Sequence, residues 1–62
     1  MQQFKELSSV ILKRYVDDQG IFMPAGSRGV VVHVYEDDFY EVEFTTPKHA
    51  VLTIESDNLK DG

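Results

Sequence analysis

Glu41 and Glu43 stand two residues apart in Tyr40-Glu41-Val42-Glu43-Phe44, so in an extended strand both carboxylates project from one face. Glu36, Asp37 and Asp38 come just before them, and Tyr35 and Phe39 flank that acidic turn. Tyr35, Glu36, Asp37, Asp38, Phe39, Glu41 and Glu43 together predict a negative patch with aromatic edges. Such a patch suits a basic protein partner, much as an inhibitor masks the cationic substrate site of a nuclease. The same charges also read as a solvated edge that resists aggregation.

Other chemistry-bearing residues are sparser. His33 and His49 fall near neighbouring strands, and a carboxylate from Glu41 or Glu43 could complete a metal site with them. No tight spacing such as His-x-x-x-His supports that reading, so the sequence predicts surface histidines, no metal site and no cofactor. Ser8, Ser9, Ser27 and Ser56 lack a nucleophile context, and the adjacent acids of Glu36-Asp37-Asp38 are expected to be solvated rather than poised for acid–base work. No catalytic set emerges, and the expectation is a non-enzymatic protein.

With 62 residues the chain makes a single domain, residues 1–62, with a small core. It has no cysteine, so neither a disulfide nor a thiolate zinc site braces the fold. The longest apolar run centres on Gly29 to Val32, far below the roughly 18 residues that span a bilayer, and no basic-then-apolar leader opens the chain. These features predict a soluble cytoplasmic protein with no membrane partner. A net charge of −5 repels phosphate backbones and argues against nucleic acid, favouring a basic protein instead.

The elements that must carry the patch follow from periodicity. Val30, Val32 and Val34 alternate with Val31, His33 and Tyr35, and Tyr40, Val42 and Phe44 alternate with Glu41, Glu43 and Thr45. Two strands separated by three polar residues make a hairpin. Thr46-Pro47-Lys48 breaks the run, and Ala50, Leu52 and Ile54 then alternate with Val51, Thr53 and Glu55 in a third strand. Ser56 to Leu59 reads as one turn of 3₁₀ helix burying Leu59. Upstream, Val10, Ile11 and Leu12 followed by Tyr15 and Val16 predict a first strand, preceded by a helical turn with Phe4 and Leu7 on one face. Between the first strand and Val30, Asp17 to Gly29 forms a long loop folded over the core. In it Pro24 presets a turn corner, Gly26 supplies a positive φ, and Gly29 admits another backbone. Phe22, Tyr40 and Phe44 are expected in the core.

This succession, with a long loop ending in Gly-x-x-Gly-x-Val, a three-strand meander, a 3₁₀ turn and a closing segment, resembles an SH3-like barrel. "MPAGSRGVVVHVYEDDFYEVEF" followed by "AVLTIESDNL" is similar to an uncharacterised bacterial family of very small stand-alone domains over residues 8 to 60, with Met23 where leucine is common. Members of that family read Leu-x-x-Gly-x-x-Gly-x-Val-Val, then Tyr, a Tyr-x-Val-Glu-Phe strand, an apolar strand and a final Leu. Some relatives are encoded beside a toxin, which implies an antitoxin or immunity role. Gly26, Gly29 and Val31 also resemble the core of the KOW motif, a β-turn that contacts RNA. Its basic companions are missing here except Arg28, with Lys13, Arg14 and Lys48 scattered. An SH3-type polyproline groove is disfavoured because the chain has no tryptophan, although Tyr15, Phe22, Tyr35 and Phe39 offer a shallow aromatic contact.

The sequence therefore predicts an all-β, five-stranded SH3-like barrel with a long first loop and a short 3₁₀ turn near its C-terminus. Its expected role is a protein-interaction module, antitoxin-like in its sharpest form, with a basic toxin-like protein as the partner docked on the acidic hairpin. The alternative is RNA binding through the Gly26–Val31 turn. A homo-oligomer, paired through an apolar strand face near Tyr15 if His33 or Val31 faces outward, stays open as a partner arrangement.

Overall fold

A computed structural model describes residues 4–62. Strands run as β1 (Ser9–Leu12), β2 (Val16–Asp18), β3 (Ile21–Met23), β4 (Arg28–Val34), β5 (Phe39–Thr46), β6 (Ala50–Glu55) and β7 (Leu59–Asp61), with the 3₁₀ turn Ser56–Asn58 before the last. Five of them form one antiparallel sheet in the order β6-β5-β4-β1-β7. β2 and β3 pair separately as a two-stranded hairpin inside the long first loop. The fold is all-β, as the alternating pattern requires, but it has seven strands rather than five. The sequence pattern puts Val16 at the end of the first strand and Asp17 to Met23 in the long loop, because two three-residue strands are too short to display a period.

Alternation is clean on the strands beside the patch. On β5, Tyr40, Val42 and Phe44 are buried while Glu41 and Glu43 turn outward; on β6, Ala50, Leu52 and Ile54 are buried while Val51, Thr53 and Glu55 are exposed. Val10, Leu12, Met23, Val31 and Leu59 complete the centre of the core, and Phe4 packs edge-on against Tyr40 with ring centroids 5.5 Å apart. The Phe4 amide donates to the Tyr40 hydroxyl at 3.0 Å, which satisfies the buried phenol.

Glycine placement explains the close pairing of β4 with β5. A Cβ built on Gly29 would stand 2.7 Å from the Glu43 carbonyl oxygen and 2.8 Å from Val42 Cγ1, so only a residue without one lets the two backbones meet. Gly26 has a φ of +90° at the turn entering β4, as a glycine there implies. The turn closes between the Pro24 carbonyl and the Ser27 amide at 3.2 Å, so Ala25 and Gly26 form its corners and Pro24 stands one residue before them.

Three other expectations are corrected. The first strand stops at Leu12, and Tyr15 lies outside any strand, 66% exposed. Phe4 and Leu7 share no helical face, because Leu7 sits at φ 69° with its side chain 79% exposed while Phe4 is buried. Phe22 is not in the core; it is 47% exposed and stacks on Tyr15 with centroids 5.6 Å apart. In the β2–β3 hairpin only Met23 is fully buried, with Val16 and Ile21 packed partly against the core.

Candidate acidic interface

The β4–β5 hairpin builds the patch around two features of its backbone. Asp37 and Asp38 both adopt left-handed conformations, φ 65° and 64°, which a short polar side chain tolerates far better than a β-branched one. The Tyr35 amide donates to the Phe39 carbonyl at 2.9 Å and closes the turn, and the Ser56 amide anchors it to the 3₁₀ turn through the Asp38 carbonyl at 2.8 Å.

The second feature is a bulge. The pairing of β4 with β5 shifts register between Val31 and His33, leaving Val32 as the extra residue. Val31 stays inward opposite Val42, but His33 is re-aimed to the outer face opposite Glu41 instead of following Val31 inward. The uniform alternation expected from Val30 to Tyr35 therefore holds only up to Val31. Of the two residues on which the self-pairing expectation turns, Val31 is fully buried and His33 faces outward.

The outer face consequently holds a polar cluster. The Tyr35 hydroxyl donates to Glu41 Oε1 at 2.9 Å, and the His33 ring meets the Tyr35 ring edge-on with centroids 4.5 Å apart. The hydrogen bond to Glu41, then partial burial and the Glu41 charge, hold the Tyr35 pKa above the ordinary phenol value. His49 Nε2 lies 2.7 Å from Glu43 Oε2. The two histidines are thus engaged with different partners, and among the described residues no group of three or more His, Asp or Glu side chains comes together as a metal site.

Of the residues singled out in the sequence, Glu36 and Asp37 are exposed at the turn, Asp38 is half-buried, Tyr35 and Phe39 border it, and Glu41 and Glu43 lie half-buried on the adjoining strand. All seven fall on one hairpin. The sequence reading missed three neighbours that the β5–β6 register brings to this face: Glu55 opposite Phe39, Thr53 opposite Glu41 and Val51 opposite Glu43. Parity and the length of the Pro47 turn carried the signal, since a hairpin's register follows from its loop. Among the described residues no lysine or arginine lies within ion-pairing distance of these carboxylates; His49 alone does.

The end of β5 remote from the Asp37–Asp38 turn offers less chemistry. A shallow depression of about 270 Å³ is lined by Pro24, Ala25, Gly26, Ser27, Thr46 and Pro47, none of them ionisable. No described helix is long and apolar enough to cross a membrane.

The model of one protein family, described as "Domain of unknown function (DUF4926)", matches residues 6–61. No curated protein and no solved structure matches the chain.

Proposed function

The chain belongs to the DUF4926 family, and on that footing we propose that it is a non-enzymatic, cytoplasmic protein-interaction module of SH3-like barrel form whose acidic β4–β5 face binds a basic protein. The strand order, the hairpin in the long first loop and the 3₁₀ turn before the last strand support the SH3-like reading. One observation carries the function: Glu41 and Glu43 share an outward face with Tyr35, and no lysine or arginine of the described chain neutralises them. Carboxylates whose described partners are only the Tyr35 hydroxyl and the His49 ring, and no lysine or arginine, stay available to an incoming cation, which speeds encounter and selects against acidic partners. In its sharpest form the role is antitoxin-like, the acidic face covering a cationic surface on a toxin-like partner.

The test is capture of basic proteins at low salt, identification of the captured species, and titration across a salt series. Affinity is expected to fall steeply with salt. A gel-shift titration at low salt provides the contrast, because a protein-only module leaves RNA and DNA unretarded. Retardation abolished by Arg28→Ala would instead favour the turn at Gly26–Val31 as a nucleic-acid site and overturn the reading.

A further inference from the structure

The sheet ends in two unlike edges. β7 is three residues long and carries Lys60 and Asp61, the short and charged form that resists further pairing. β6 is six residues, Ala50–Glu55, with no proline, no lysine and no register shift along its pairing with β5. Among the described residues no strand pairs with its far side.

The direction of its free main-chain groups follows from the ladder. The Ser56 amide donates to the Asp38 carbonyl, in step with Glu55 opposite Phe39. Hydrogen-bonded pairs alternate along antiparallel strands, so Ala50, Leu52 and Ile54 turn their N–H and C=O groups to β5. Val51, Thr53 and Glu55 turn theirs to the open edge. The side chains of these same three residues are exposed on the outer face, in rows with Glu43, Glu41 and Phe39.

We propose that this edge receives an extended basic segment of a partner protein as an added strand, its amides paired with Val51, Thr53 and Glu55 and its lysines or arginines laid across β6 onto Glu41 and Glu43. Two strand spacings, about 10 Å, separate the added strand from β5. A lysine and a glutamate leaning toward each other over the small Val51 and Thr53 span that gap. Main-chain bonds then supply affinity while alternate side chains supply selection. A second copy of this chain is the poorer occupant. Each copy carries a net charge of −5, and edge-to-edge pairing would set Glu41, Glu43 and Glu55 of both on one continuous face.

The inference rests on the acidic-face reading and specifies how that face is used. Its test uses an eight-residue synthetic peptide alternating lysine with threonine, and the same peptide N-methylated at every residue, which keeps the charge and removes the amide donors. The unmethylated peptide is expected to bind at least about tenfold tighter, the worth of two or three ladder bonds. Amide exchange at Val51, Thr53 and Glu55 should slow on binding, with Leu52 and Ile54 protected throughout. Thr53→Lys, which sets a cation on the exposed edge without touching the β5 ladder, should weaken the peptide and leave the free protein's spectrum folded. Equal, salt-sensitive binding of both peptides would overturn strand addition while leaving the acidic face as the contact. Absence of binding by either would also overturn it, and the captured-protein titration would then decide the acidic-face reading by itself. Sedimentation showing a dimer that Thr53→Lys dissociates would overturn it as well, by giving the edge to a second copy.

Discussion

Tyr35 shows how one side chain reports on the whole patch. Its hydroxyl donates to Glu41, and that bond, with partial burial and the Glu41 charge, raises its pKa from the ordinary 10.0. A folded-state pKa above the unfolded one means stability that is intact below about pH 10 and lost as the pH climbs through the raised value. The phenolate absorbance of the native protein minus that of Tyr35→Phe should therefore show a midpoint above 10.0, falling when Glu41→Ala removes the acceptor and the charge. A midpoint indifferent to Glu41 would break the assignment. The outward pairing of Glu41 with Glu43 was legible in the sequence, because strand parity fixes it. The contacts of Tyr35 with Glu41 and of His33 with Tyr35 were not, because they depend on a bulge at Val32 that no periodicity announces.

At the scale of the elements, β4 and β5 define the site and Gly29 sets how closely they pack. Its φ is ordinary, so alanine meets no conformational bar there; the obstacle is the Glu43 carbonyl oxygen at 2.7 Å and the Phe44 Cα at 3.0 Å from the added Cβ. Both are backbone or backbone-attached atoms that yield only if β5 moves. Gly29→Ala is expected to cost about 1–3 kcal/mol in denaturant unfolding with an unchanged m-value, as overpacking does. A loss below about 0.5 kcal/mol would mean that the strands are less closely pressed than described. Sequence reasoning assigned this close approach to Gly29 and the positive φ to Gly26, since each is something only glycine supplies easily. It missed the β2–β3 hairpin and put Phe22 inside. Three-residue strands show no period, and an exposed aromatic stacked on Tyr15 has the same composition as a buried one.

For the whole molecule the question is whether total charge or its placement governs binding. The domain measures 26 × 20 × 17 Å, whereas fields from exposed charges fade over about 8 Å at physiological ionic strength. The net −5 is therefore not felt evenly around the surface, and a partner senses the face it approaches. Two pairs of reversals separate the effects: Glu41→Lys with Glu43→Lys on the proposed face, and Asp17→Lys with Asp18→Lys on the exposed β2 strand. Both raise the net charge equally. Titrating the captured basic protein against the two variants at physiological salt is the most direct trial of the account. The Glu41/Glu43 pair should lose at least about tenfold in affinity, and the Asp17/Asp18 pair should stay within about threefold of the native chain. Equal losses in the two variants, or none in the first, would contradict the acidic hairpin as the contact.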